Sequence, residues 1–199
     1  MMKKILMLLL AFCCLASLLC ACKGKNTEED SPYLSGLHHV EIEIQDYGTI
    51  SLELDADTAP ISVTNFIQLA QDGFYDGLTF HRIIDGFMIQ GGDPRGDGTG
   101  GSQYPIRGEF AANGVENNID HVRGVISMAR ADDYNSGSSQ FFIVHQDSPH
   151  LNGGYAAFGW VTEGIEIVDE ICANTPVVDG NGSVLPKDQP VITTVRVVD

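Results

Sequence analysis

Apolar residues along this chain follow three rhythms: short alternations, two helical stripes and one long run near the start. In His39 to Ile44, Val40, Ile42 and Ile44 interleave with Glu41 and Glu43, and the alternation resumes with Ile50, Leu52 and Leu54. Successive side chains of a strand point to opposite faces, so these segments, separated by Asp46-Tyr47-Gly48, predict a hairpin buried on one face. The period then lengthens. Val63, Phe66, Ile67 and Ala70 recur at helical spacing, with Thr58 as the expected cap, Pro60 in the first turn and Gly73 as the stop. Extended runs follow on both sides of Asp85-Gly86, then at 124–130, 139–145, 156–161 and 189–198, the last entered through Pro190. A second helix is expected over 164–173, with Ile165, Ile167, Val168 and Ile171 on its buried side. Short strands with glycine-rich connections and two helices predict an antiparallel barrel or sandwich.

The long run has a different meaning. Lys3 and Lys4 precede a charge-free stretch from Ile5 to Ala21, the layout of a secretory signal. Its end, Leu19-Cys20-Ala21-Cys22, resembles the lipobox of bacterial lipoproteins. That resemblance implies that residues 1–21 are removed and that Cys22 carries lipid, which makes the protein extracytoplasmic and membrane-anchored. An uncleaved anchor is the alternative, and 17 residues lie at the lower edge of what spans a bilayer. Residues 22–36 are small, polar and breaker-rich, a flexible tether, and 37–199 form one folded domain of ordinary size.

Composition narrows the chemistry. Once the signal is set aside, Cys172 is the only cysteine besides Cys22, so the domain has no internal disulfide and no cysteine pattern that suggests redox chemistry or a metal. His38 and His39 are adjacent in a strand and are expected to point apart, which argues against a shared metal. The formal charge is −16, and loss of Lys3 and Lys4 leaves 27 acidic against 9 basic residues, or −18. Nucleic acid is therefore excluded as a partner, and membrane contact is left to the lipid.

The glycine-rich stretch 91–101 contains three partial motifs. Gly96, Gly98 and Gly101 have dinucleotide-fingerprint spacing, but no helix can open at Ser102-Gln103-Tyr104-Pro105. Asp93, Asp97 and Gly98 imitate an EF-hand loop whose twelfth position is Tyr104 instead of glutamate. Arg95-Gly96-Asp97 is an adhesion tripeptide of three residues only.

More informative is Phe80-His81-Arg82-Ile83-Ile84-Asp85-Gly86-Phe87-Met88-Ile89-Gln90-Gly91-Gly92-Asp93, one arginine and one glutamine among large apolar side chains. Taken alone, Arg82 reads as a solvated strand arginine over a patch of core. Together with 126–131, Ser139-Gln140-Phe141-Phe142-Ile143 and Leu151 to Gly159, the segment resembles the cyclophilin family of peptidyl-prolyl isomerases, in the same order and with similar spacing, from about Leu37 to Val198. The resemblance implies a mainly β fold, a closed eight-stranded antiparallel β-barrel capped by two α-helices, with the groove on its outer face. It also implies a monomer without cofactor or metal that acts on proline-containing polypeptides and assists folding of extracytoplasmic proteins. Arg82 matches the catalytic arginine, and Phe87, Met88, Phe142 and Leu151 match the walls of the proline pocket. Gln90 and Gln140 match polar groove residues, Ala129 and Arg130 the segment that pairs with bound peptide, and His81 is counted with the substrate-binding set.

The chemistry suits those residue types. Rotation about a peptide C–N bond meets a barrier of about 18–20 kcal/mol because of its double-bond character. A catalyst has only to grip the proline ring and favour the twisted amide. An apolar pocket does the first without polar partners, and a fixed guanidinium donating to the imide nitrogen does the second better than a mobile lysine. Gln90 either holds a substrate carbonyl or orients Arg82. Three positions depart from the family pattern. His150 replaces a tryptophan that helps bind cyclosporin, so weak cyclosporin binding is expected; Tyr155 replaces the groove histidine; Arg130 replaces a frequent asparagine. The competing readings are a non-catalytic module retaining proline-containing chains in the same groove, and an adhesion lipoprotein using the 95–97 tripeptide.

Overall fold

Strand β1, Leu37–Ile44, pairs antiparallel with β2, Gly48–Asp55, setting Val40 opposite Leu52 and Ile42 opposite Ile50. The expected hairpin is therefore present. The computed structural model describes residues 31–199; the signal segment 1–21, Cys22 and the tether up to residue 30 lie outside the described residues. One compact unit spans Tyr33–Asp199. Contacts begin just before β1: Leu34 packs on the core and its N–H donates to Thr64 Oγ1, while Gly36 N–H donates to Asp57 Oδ1.

The first helix, α1, spans Pro60–Gln71 and buries Val63, Phe66, Ile67 and Ala70, the predicted stripe. Gly73 ends it in the left-handed region (φ +68°), with Gly73 N–H bonded to Ala70 O and Phe74 N–H to Leu69 O. Its start differs from expectation. Thr58 makes no cap, because its N–H and hydroxyl donate to Asp55. The buried carboxylate of Glu109 takes that role from elsewhere in the chain, accepting from Ile61 N–H (2.9 Å), Ser62 N–H (2.8 Å) and Ser62 Oγ (2.7 Å). An anion at a helix N-terminus satisfies orphan donors and opposes the macrodipole.

The remaining strands are β3 Thr79–Ile84, β4 Met88–Asp93, β5 Val125–Met128, β6 Phe141–Val144, β7 Ala157–Glu163 and β8 Ile192–Val197, with helix α2, Ile165–Asn174, between the last two. Among the described residues they form one antiparallel sheet of eight strands in the order β3-β4-β6-β5-β7-β2-β1-β8. The closed barrel expected from the sequence is corrected here to a curled sheet. Its two edges, β3 and β8, share no ladder and meet around the single bridge Thr79–Val191, where Phe80 N–H donates to Pro190 O and Ile192 N–H to Leu78 O. Pro190 lacks an N–H, and the chain enters β8 by a bend, so the pairing does not extend.

Alternation sorts the apolar residues into two clusters. Ile89, Ile126, Phe141 and Ile143 face the helices and join Phe66, Tyr75, Phe80 and Phe158 in the main core. Met88, Val125, Phe142 and Val144 face the other way and form a second cluster with Leu151 and Ala157. Phe66 is central to the first, with ring centroids 5.0 Å from Tyr75 and 5.4 Å from both Phe141 and Phe158.

Replacing Glu109 with glutamine leaves one fewer strong acceptor and no charge at the start of α1. A loss of about 1–3 kcal/mol is expected, read as a lowered urea midpoint with an unchanged slope.

Candidate functional site

Strand register draws a line across the outer face of the sheet. Arg82 of β3 lies opposite Gln90 of β4, Gln90 opposite Phe142 of β6, and Phe142 opposite Ser127 of β5. A bulge makes this possible. Phe80 pairs with Gly91 and Arg82 with Gln90, so His81 is the extra residue, and both Phe80 and Ile83 can enter the core while Arg82 turns outward. His81, expected in the groove, is instead buried and borders neither of the cavities described below, although its ring lies beside Gly98, which lines one of them.

A cavity of about 330 Å³ sits along the line, bounded by Arg82, Phe87, Met88, Gln90, Ala129, Arg130, Phe142, His150, Leu151 and Tyr155. Its floor is apolar because Met88, Phe142 and Leu151 are all buried in the second cluster. Phe87, in the β3–β4 turn, faces His150 with ring centroids 5.4 Å apart, and Tyr155 meets the edge of Phe142 at 5.8 Å. Gln140 lies in an adjoining cavity of about 230 Å³ with Gly98, Thr99, Gly100, Ser136 and Ser138, and the two cavities share Gln90, Ala129 and Arg130.

The polar rim is a connected chain. Arg82 Nε donates to Asn181 O (2.8 Å) and Nη1 to Gln90 Oε1 (3.1 Å). Gln90 Nε2 donates to Gln140 Oε1 (2.8 Å), and Gln140 Nε2 donates to Gly100 O (2.7 Å) and Gly98 O (3.1 Å). The guanidinium is thus held at two corners, and both ends of Gln90 are engaged. Burial lowers the Arg82 pKa from its ordinary value, against the charges of Tyr155 and Asp179. Arg130 is fixed differently, its Cζ 4.6 Å from the Tyr155 ring centroid, 4.9 Å from Tyr134 and 5.3 Å from Phe110, with Nε donating to Gly154 O.

The loop behind Gln140 is built on one carboxylate. Buried Asp93 accepts from the N–H groups of Arg95 (2.8 Å), Gly98 (2.6 Å) and Asp97 (3.2 Å). Burial opposes its charge, but the backbone bonds outweigh that and hold its carboxyl below the usual range. The Arg95-Gly96-Asp97 tripeptide is tied inward too, since Asp97 Oδ1 accepts from Thr99 N–H and hydroxyl.

Beneath the pocket lies a network that the sequence does not announce. His121 stacks on Phe142 with centroids 6.0 Å apart. Its Nδ1–H donates to Asn152 Oδ1 (3.1 Å), which also accepts His121 N–H, so Nε2 accepts from the Ser127 hydroxyl (3.0 Å). These residues belong to no periodic pattern; their one signal is polarity at positions flanking the pocket segments. Burial pulls the pKa of His121 down, with Asn152 opposing, and pulls His81 down, with Asp93 and Asp97 opposing and Arg82 reinforcing.

The comparisons with known proteins agree with this geometry. Residues 39–197 match the family model described as "Cyclophilin type peptidyl-prolyl cis-trans isomerase/CLD". The chain is 50% identical over 123 residues to peptidyl-prolyl cis-trans isomerase B of Bacillus subtilis, covering 62% of this chain and 82% of that protein. It is 48% identical over 126 residues to a peptidyl-prolyl cis-trans isomerase of Helicobacter pylori, covering 62% and 74%. Among solved structures, a cyclophilin type peptidyl-prolyl cis-trans isomerase of Cryptosporidium parvum, crystallised in the presence of the dipeptide Ala-Pro, matches with a TM-score of 0.71 and 32% identity over 81% of this chain and 99% of that one.

A histidine that is harder to protonate when folded favours unfolding in acid. Its contribution to stability is complete above the unfolded value, about pH 6.5, and is lost as pH falls through the depressed folded values of His81 and His121. The urea midpoint should therefore drop between about pH 7 and about pH 5, and less so in the H81N/H121N double variant; an unmoved midpoint contradicts this.

Proposed function

The chain belongs to the cyclophilin-type peptidyl-prolyl cis-trans isomerase family and is an enzyme of that class, and we propose that Arg82 is its catalytic residue. One observation carries the assignment: a guanidinium pinned by Asn181 O and Gln90 Oε1 at the edge of a cavity with an apolar floor, large enough for a proline ring. Proline of a client chain enters between Phe87, Met88, Phe142 and Leu151, where burial of its ring needs no polar partner. As the amide twists, conjugation is lost and the imide nitrogen regains its lone pair. Arg82 then donates to that nitrogen, an interaction made in the twisted state and not in either planar one.

The roles of the neighbours follow from their bonds. Gln90 acts as a positioning residue, because its carbonyl is engaged by Arg82 and its amide by Gln140. The 129–130 backbone and Tyr155 border the groove that holds the client on either side of proline, and Gln140 lines its continuation. His150 offers a smaller, polar edge where a tryptophan favours cyclosporin. The clients are unfolded or flexible polypeptides outside the cytoplasm, reached by an enzyme lipid-anchored through Cys22. The lipobox-like Leu19-Cys20-Ala21-Cys22 and the run before it support that placement.

A proline-limited refolding assay tests the catalytic reading. Arg82→Ala should slow catalysis about a hundredfold or more with the fold intact, and an unchanged rate contradicts the assignment. In the same assay Gln90→Ala should lower kcat with little change in KM, and cyclosporin should inhibit only well above nanomolar concentration. For the anchor, the mass of the protein extracted from its producing cell should correspond to a chain beginning at a lipid-modified Cys22; an unprocessed chain overturns that assignment.

A further inference from the structure

On the side of β3–β4 away from the rim, the turn at Asp85, the end of β6 at His145 and the inner face of α2 at Cys172 converge. One carboxylate oxygen, one imidazole nitrogen and the thiol sulfur lie within 4.8 Å of one another. We propose that Asp85, His145 and Cys172 form a binding site for a divalent metal ion of the zinc class. Carboxylate, imidazole and thiolate together are a borderline-soft donor set suited to zinc, and tetrahedral coordination places such donors about 3.5 Å apart. The required contraction is small, and Asp85 can supply it because its side chain is 79% exposed on the three-residue β3–β4 turn.

The imidazole is already arranged as a ligand. His145 Nε2–H donates to Asp169 Oδ1 (2.9 Å), so Nδ1 carries the lone pair on the side of Asp85, at 3.4 Å from its Oδ1. Asp169 in turn is gripped by both terminal nitrogens of Arg123 (2.7 and 2.8 Å), which keeps it ionised. A carboxylate behind a histidine fixes the tautomer and raises basicity in metal sites. Nδ1 accepts Gly86 N–H at 2.9 Å, and the ion takes the place of that donor as the turn shifts.

An independent feature points to a ligand at the same place. Asp85 and Cys172 open onto a cavity of about 250 Å³ whose wall includes Thr175 and the 177–182 segment. Three protein ligands leave a fourth position open to water, and the cavity beside Asp85 and Cys172 gives it room. Without an ion the Cys172 thiol stays protonated, since burial and the charges of Asp85 and Asp169 push it up to about 12. On coordination the thiol proton passes to water.

The test uses the full-length chain with Cys13, Cys14, Cys20 and Cys22 replaced by serine, which leaves Cys172 as its single thiol. Cobalt(II) titration should give one ion per chain with a near-ultraviolet sulfur-to-cobalt charge-transfer band, displaced by zinc. The band should vanish in C172S, and affinity should fall at least tenfold in D85N and, by loss of the outer carboxylate, about tenfold in D169N. No band in the parent, or a band that persists in C172S, overturns the proposal. D85N alters only an exposed turn, so unchanged affinity there counts against the site even if C172S fails to fold.

Discussion

Strand β6 is four residues long and buried on both faces, and the groove exists because of it. Phe141 and Ile143 lock it into the core under α1, while Phe142 and Val144 are held against the second cluster. A one-residue slip would exchange the two sets and put Phe141 where the pocket floor must be. Burial of roughly 1.5–3 kcal/mol per large apolar side chain on each face makes that slip costly. The row from Arg82 through Gln90 and Phe142 to Ser127 is thus a register property of the sheet before it is a property of individual residues.

Much of this was legible in the sequence because alternation and helical spacing are local. The hairpin β1–β2, both helical stripes, the stop at Gly73 and the convergence of Arg82, Phe87, Met88, Gln90, Phe142 and Leu151 all follow from patterns or from the family resemblance. The failures have one origin. Glu109 as the anchor of α1 and the meeting of the sheet edges at Thr79–Val191 join residues dozens of positions apart, and the bulge that turns His81 inward is an irregularity within a hairpin; no periodicity announces any of them. Asp85, His145 and Cys172 are spaced in the same unreadable way, which is why the cysteine pattern does not point to the site proposed for them.

Polar groups around the groove share a common device, in which one acceptor, buried at Asp93 and nearer the surface at Asn152 and Asn181, organises segments that have little apolar content of their own. Asp93 gathers the glycine-rich loop, Asn152 clamps His121 beneath Phe142, and Asn181 O steers Arg82. Such bonds are individually modest, about 0.5–1.5 kcal/mol, but leaving buried Asp93 or His121 unpaired costs more. The rim is therefore stiff without being hydrophobic, which suits the role proposed for Arg82.

The way the sheet ends bears on what an extended polypeptide can pair with. An exposed strand edge is a template for any extended polypeptide. Here β3 is covered by its own chain: Ile83 N–H donates to Gly182 O, Val184 N–H to His81 O, and Phe80 N–H to Pro190 O. Among the described residues an extended polypeptide therefore finds no open backbone ladder beside Arg82, and contact there is left to side chains, of which a proline ring is one that strand pairing itself disfavours.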